Sequence, residues 1–273
     1  MSASIPLGWD FVLRAAAACE PRIARCIDIS TAQDRAPIDW AAVREAGISA
    51  VWCKASQGIR PSQRRIEFLR RALYGAAEQG LEIGAYHYTE GRDLSDELDC
   101  YLVSVRGLPL TLRHVLDLEG QALDRLPTVR ERRRYVRAWA GELPGSLLYG
   151  YRSALDDHDD WGLPLFVATR PWGHDEAPPS DTEILMRHQP AIRWAAWQYA
   201  SRAGRCPGVT GSVDLGLYDP VQCRMTSTVR PLTRGGRSRR APICGNTQAA
   251  ARSSMAAQGR SISILPARRH WRR

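Results

Sequence analysis

Between about residues 25 and 218, short apolar runs rich in Ile, Val and Leu alternate with segments whose apolar residues recur every three or four positions. That alternation is the signature of repeated β-α units, in which buried strands form a parallel sheet and each helix lays one apolar stripe on it. Strands are expected at 26–30, 48–55, 81–88, 114–119, 147–151, 165–169, 194–199 and 213–217. Between them the first helix starts at Asp39, a good N-cap, and ends at Gly47. The second, 64–79, carries Ile66, Leu69, Leu73 and Ala76 on one stripe and is closed by Gly80. A third spans 94–105, and Thr128 with Glu131 forms a capping box that opens a fourth, reaching about residue 142. Later helical pieces shrink to short acidic segments at 156–160 and 181–188. Eight strands with incomplete late crossovers predict an α/β fold, an irregular β/α barrel. The 273 residues suit one such barrel, of roughly 200–250 residues, with an appended segment.

Charge marks where the appended segment begins. Asp219 is the last acidic residue, and the 54 residues after it hold twelve Arg. Residues 1–219 carry 26 basic and 29 acidic groups, so the overall +9 describes the tail and not the folded part. The expected organisation is an N-terminal extension at 1–24, a barrel at 25–219 and an Arg-rich tail at 220–273. The tail is rich in Arg, Ser, Gly, Pro and Ala, sustains no apolar period and is expected to be disordered. Its charge would be drawn to anionic polymers or a membrane surface. A specific nucleic-acid partner is not expected, because no recognised nucleic-acid motif accompanies the arginines.

Other chemistries are excluded by what is missing. No stretch approaches the ~20 apolar residues of a membrane-spanning helix. Neither G-x-G-x-x-G, a P-loop, G-x-S-x-G nor H-E-x-x-H occurs, and the six histidines show no metal-ligand spacing, so neither cofactor nor metal is expected. Seven scattered cysteines without a C-x-x-C read as buried thiols. Lys54 is the only lysine.

The informative segment is Val115-Leu116-Asp117-Leu118-Glu119-Gly120. On a strand Asp117 and Glu119 share a face, roughly 6–7 Å apart, at the C-terminal end that becomes the mouth of a β/α barrel. Such a pair suits one protonated carboxyl acting as general acid beside an ionised one that balances positive charge, the needs of glycoside hydrolysis. The same pair could instead cap a helix or meet an arginine. Asp28 on the first strand and Asp214 on the last would join them if the barrel closes, giving four carboxylates at one mouth.

Several motifs, in this order, resemble those of glycoside hydrolase family 25. They are 27-IDISTAQ-33, Ile38-Asp39-Trp40, Gly47-Ile48, 54-KASQG-58, 80-GLEIGAYHY-88, Leu116-Asp117-Leu118-Glu119, Trp197-Gln198-Tyr199-Ala200 and 211-GSVDL-215. The resemblance implies a flattened barrel of five β/α units plus three further strands. It also implies a muramidase-type lysozyme that hydrolyses the β-1,4 bond between N-acetylmuramic acid and N-acetylglucosamine in the peptidoglycan glycan strand. Glu119 would be the acid/base, Asp117 the carboxylate beside the reacting sugar, and Asp28 and Asp214 supporting acids. Tyr86, Tyr149, Trp197 and Tyr199 would line the saccharide groove. His87, adjacent to Tyr86 and so facing away from it, is expected to be a packed, hydrogen-bonded histidine. The alternative is a catalytically inactive wall-binding module of the same fold. Departures from the family pattern fall at Gly216, at Ile66-Glu67 before Phe68, and at Thr169-Arg170. Residues 11–19 are apolar but short, interrupted by Arg14, and do not read as a signal peptide. The expectation is therefore synthesis in the cytoplasm and access to the wall after lysis or by non-classical export.

Overall fold

The computed structural model describes residues 23–155, 161–169, 194–201 and 204–225. All of them fall within the unit Met1–Arg230. The acidic pieces expected at 156–160 and 181–188, most of the N-terminal extension, and the tail beyond residue 225 lie outside the described residues.

Eight strands close into a barrel in chain order: β1 (Ala24–Ile29), β2 (Ile48–Gln57), β3 (Glu82–Tyr88), β4 (Val115–Asp117), β5 (Leu147–Tyr151), β6 (Leu165–Ala168), β7 (Ala196–Ala200) and β8 (Asp214–Tyr218). All eight expected strands are present. β1 to β7 pair in parallel, whereas β8 runs antiparallel to both β7 and β1. The reversal matters for chemistry. Asp214 opens β8, and only an antiparallel last strand carries its first residue to the end where the parallel strands finish.

The longer helices follow the sequence signals. α1 (Trp40–Glu45) is capped by Asp39, whose carboxylate accepts from the Ala42 N–H at 3.1 Å. α2 (Gln63–Glu78) buries Leu69, Leu73 and Ala76 of the expected stripe against the outside of the sheet, with Phe68 and Ala72 beside them, while Ile66 is only half-buried. α3 (Leu94–Val105) starts at Asp93, and α5 (Val129–Glu142) opens with the expected Thr128–Glu131 capping box. Three short helices were not evident in the sequence: α4 (Gln121–Arg125), α6 (Arg152–Leu155) and α7 (Pro220–Cys223).

Strand alternation splits the apolar residues into two layers. One, with Ile27, Val51, Ile83, Leu116, Leu148 and Val167, meets the helices. The other fills the barrel lumen with Ala50, Trp52, Val115, Leu147, Phe166 and Tyr218. Trp52 meets Phe166 at 5.3 Å and Tyr218 edge-on at 5.8 Å, so aromatic rings plug the barrel beneath its mouth. Gly84 makes room for this plug, because a Cβ there would overlap the Trp52 indole.

The folded unit runs past the expected boundary at residue 219. Asp219 caps α7 through the Val221 N–H at 2.9 Å, and the side chain of Cys223 is fully buried. Cys223 O accepts from Arg113 N at 2.8 Å, and Met225 N donates to Thr111 O at 2.9 Å. Residues 220–225 thus seal the end of the barrel opposite the mouth. Cys26, Cys53, Cys100, Cys206 and Cys223 are free and buried thiols. Among the described residues no helix is long and apolar enough to cross a membrane.

Candidate active site

β4 places the central carboxylates. Its last residue, Asp117, keeps its backbone in the ladder by accepting from Thr89 N at 3.0 Å, and Leu118 N donates to Tyr149 O at 2.9 Å. The chain then turns at Gly120, which has φ +52° and opens α4. A side chain there would strike the Tyr88 hydroxyl, so glycine serves both the backbone and the approach of Tyr88. Asp117 and Glu119 both line a cavity of about 130 Å³, joined there by Asp28, Asp214, Tyr86 and Tyr149.

Asp28 and Asp214 face each other in the antiparallel β1–β8 register. Gln33 strengthens this corner by donating to Ser212 O at 2.8 Å while its carbonyl accepts from Ser30 N at 2.8 Å. The two carboxyls share a hydrogen bond, which requires a proton between them. Burial, Asp214 and the charges of Asp117 and Glu119 hold Asp28 well above the usual carboxylate range. Asp117 is also raised, by burial first and then by Glu119 and Asp214, with Lys54 pulling the other way. Its side chain is buried, and Oδ1 has no hydrogen-bond partner. No protein group donates to Oδ1, so this acceptor is available to whatever occupies the cavity.

Tyr86 and Tyr149 line the cavity, the Tyr149 hydroxyl donating to Gln198 and its ring meeting Phe166 edge-on at 5.2 Å. Trp197 and Tyr199 do not line it. Gln198 is the β7 residue that reaches into the lumen, so alternation turns both neighbours outward into the helix-facing core, at 0% and 1% exposure. The Trp197 indole donates to Thr169 Oγ1 at 2.6 Å. The saccharide-lining role expected for these two residues is therefore corrected to packing.

Alternation also identifies what the sequence reading missed. Ser30, Trp52, Lys54, Tyr88 and Phe166 line the cavity, and four of them lie two residues from another lining side chain: Ser30 from Asp28, Trp52 and Lys54 from each other, Tyr88 from Tyr86. Applying the strand period outward from Asp28 and Tyr86 would have found Ser30 and Tyr88.

On the opposite face of β3, His87 is fully buried. Its Nδ1 lies 2.7 Å from Ser56 Oγ and its Nε2 2.7 Å from Glu97 Oε2, with the ring stacked on Trp139 at 5.4 Å. Burial lowers the imidazole pKa despite Glu97. Burial works against Glu97 ionising, but bonds from His87, Thr89 and the Arg92 N–H win and lower its pKa. Neutral His87 thus donates from Nε2 to the Glu97 carboxylate and accepts from Ser56. This Ser-His-Glu connectivity is that of a nucleophilic triad, yet all three side chains are sealed from solvent, which makes it a packed network. Among the described residues no group of His, Cys, Asp or Glu is arranged to hold a metal ion.

Comparison with known proteins agrees with this architecture. Residues 27–209 match the family model described as glycosyl hydrolases family 25. The autolytic lysozyme of Clostridium acetobutylicum is 28% identical over 200 residues, covering 69% of this chain and 54% of the relative. The chain therefore spans about half the length of that curated relative. Among solved structures, the lysozyme of Streptomyces coelicolor superposes with a TM-score of 0.53 at 24% identity, covering 72% of this chain and 92% of its own. A family 25 glycosyl hydrolase from Bacillus anthracis gives a TM-score of 0.54 at 16% identity, covering 71% and 88% respectively. These two likenesses concern the fold.

Proposed function

Because the chain belongs to glycosyl hydrolases family 25, we propose that it is a peptidoglycan hydrolase of the muramidase type, cleaving the β-1,4 bond between N-acetylmuramic acid and N-acetylglucosamine. The observation that carries this reading is the convergence of Asp28, Asp117, Glu119 and Asp214 in one aromatic-lined cavity at the barrel mouth. Tyr86 and Tyr149 offer ring faces to the apolar faces of sugars. Glu119, half-buried at the mouth, is the general acid that protonates the departing glycosidic oxygen.

Asp117 then supplies the negative charge. Its Oδ1, to which no protein group donates, suits the N–H of a 2-acetamido group, which would hold the acetamide carbonyl oxygen against the anomeric carbon. That oxygen attacks as the glycosidic bond breaks, and water later opens the cyclic intermediate with Glu119 now acting as base. The outcome is retention of configuration, a substrate-assisted variant of the two-carboxylate scheme. Asp28 and Asp214, bound to each other, shape the far wall. Asp117 must be ionised in this role, so activity should rise with pH on a limb lying above the usual carboxylate range.

Mass spectrometry of products from purified peptidoglycan tests the proposal. Muropeptides with reducing-end muramic acid are expected. Reducing-end glucosamine would overturn the bond assignment, and adsorption to walls without soluble products would indicate a binding module. NMR taken immediately after cleavage would read the stereochemistry, with net inversion ruling out the acetamide route.

A further inference from the structure

Four acidic side chains line the cavity, and among the described lining residues Lys54 is the only cation. It is also held in place. Nζ donates to Gln57 Oε1 at 2.8 Å and lies 4.0 Å from the centre of the Tyr88 ring. Parallel register sets Lys54 beside Tyr86, and Tyr88 beside Asp117, so an ammonium lying over Tyr88 leans toward β4. Gln57 is anchored in turn, its Nε2 donating to Glu90 Oε1 at 3.3 Å. Glu90 Oε2 accepts from Arg92 Nε at 2.8 Å and pairs with Arg125 at 3.6 Å, while Glu90 N–H donates to buried Glu97 at 3.2 Å. A chain of contacts thus runs from the sealed His87–Glu97 network through the rim to the ammonium.

From this geometry we propose that Lys54 is a positioning residue for the hydrolysis inferred above: its clamped ammonium keeps the negative charge of the pocket on Asp117 and leaves the shared proton with Asp28–Asp214. Gln57 is a neutral partner, so the clamp fixes the ammonium without cancelling its charge. The groups facing Lys54 are Asp117 and Glu119 at the end of β4, Glu90 at the rim, Tyr88 on β3 and Arg65 on α2. Burial is the largest influence on Lys54 and lowers its pKa, Arg65 adds to that, and Asp117, Glu119 and Glu90 favour the ammonium. Asp117 in turn faces Glu119, Asp214 and Lys54, and only Lys54 favours its charged form. Two like charges at close range cannot both ionise cheaply, so one cation on one side decides which pair does.

The test is the pH dependence of kcat/KM for muropeptide release by the full-length chain and by its Lys54→Met, Lys54→Gln and Lys54→Arg variants. Lys54→Met should move the acid limb upward by about one pH unit, lowering activity about tenfold on that limb with less than a threefold change on the plateau. Lys54→Arg should return the limb to within about 0.3 pH unit of wild type, since it restores the charge. Should Lys54→Met not fold, Lys54→Gln removes the charge while still reaching Gln57. A second readout needs no substrate: ¹³C-carboxyl NMR should show the resonance that disappears in Asp117→Asn titrating higher in the uncharged variants. An unmoved limb with an unmoved resonance, or equal behaviour of Lys54→Arg and Lys54→Met, overturns the assignment. A wild-type chain releasing no muropeptides overturns the hydrolase reading instead, and the NMR titration still judges Lys54.

Discussion

Tyr86 and His87 are consecutive on β3, yet they belong to two ionisable clusters built on opposite principles. On the outer face, Glu97 has a donor on every side: His87 Nε2 at 2.7 Å, Arg92 N at 2.7 Å and Glu90 N at 3.2 Å. Its charge is matched, so burial does not stop it ionising. On the inner face, no protein group donates to Asp117 Oδ1 and Asp28 faces another carboxyl, and burial together with the neighbouring carboxylates makes both resist ionisation. The outer cluster is finished and contributes to the fold. The inner one lines a cavity and keeps at least one acceptor, Asp117 Oδ1, turned away from any protein donor.

The largest expected effect lies on the inner side. Glu119→Gln removes the proposed proton donor and should lower the rate by about 10²–10⁴ with binding to peptidoglycan largely kept. Asp117→Asn should be comparably damaging, because an amide cannot carry the charge that the acetamide N–H and the developing cation require. Wall clearance by Glu119→Gln at the wild-type rate would show that the acid lies elsewhere.

The next effect lies on the finished side and should appear in stability. Glu97→Gln keeps the shape but turns one carboxylate oxygen into an amide nitrogen facing N–H donors. Breaking a buried, hydrogen-bonded charge network of this kind costs about 3 kcal/mol. For a chain of this size, that lowers the thermal midpoint by roughly 6–12 °C. A scan at neutral pH checks it, and a Glu97→Gln protein as stable as wild type would mean the network is not the anchor described above.

Much of this contrast was legible in the sequence, and the reason is periodicity. Strand alternation alone set Tyr86 against His87, and Asp117 with Glu119, before any coordinates. The eight strands and the caps at Asp39 and Thr128 follow from equally local rules. What local rules do not carry is pairing direction. Nothing in Gly-Ser-Val-Asp-Leu says that the last strand runs backward, and that reversal is what delivers Asp214 to the mouth. Trp197 and Tyr199 were misjudged for a related cause: an aromatic suits a sugar groove and a helix-facing core equally, and phase decides between them. Lys54 is visible as the only lysine, but the role proposed for it depends on Gln57, Glu90 and Asp117, which three separate segments bring together.

Two conservative substitutions sharpen the inner–outer distinction with smaller effects. Trp197→Phe loses the bond to Thr169 and some packing, so it should cost about 1–2 kcal/mol while KM stays within about twofold of wild type. Tyr86→Phe should do the reverse, leaving stability within about 0.5 kcal/mol and raising KM by roughly two- to tenfold. Denaturant midpoints and steady-state kinetics on the same preparations separate the two. A KM change at Trp197 would return that side chain to the saccharide groove.

The smallest effect has the most informative sign. The folded-state pKa of Asp28 is raised, so the stability linked to its proton is fully present below the unfolded value near 3.8 and is lost as pH rises through the folded value. At neutral pH the residue therefore works against the fold. Asp28→Asn removes that penalty and supplies an amide N–H that can donate to Asp214 where a shared proton stood. The variant should be more stable than wild type at pH 7 by about 1 kcal/mol, or roughly 2–4 °C, and the gap should close as pH falls toward 3.5. Activity should drop, though less than in Glu119→Gln, because Asp28 acts on the reaction through the pocket wall. The corresponding change at Glu97 has the opposite sign: its lowered pKa means stability present above the unfolded value and lost on acidification, so Glu97→Gln is destabilised at pH 7 with a gap that narrows in acid. Thermal scans of both variants from pH 3.5 to pH 7 read the two signs side by side. A less stable Asp28→Asn at pH 7 would mean that the inner carboxylates are held as tightly as Glu97, and the contrast between the two faces of β3 would fail.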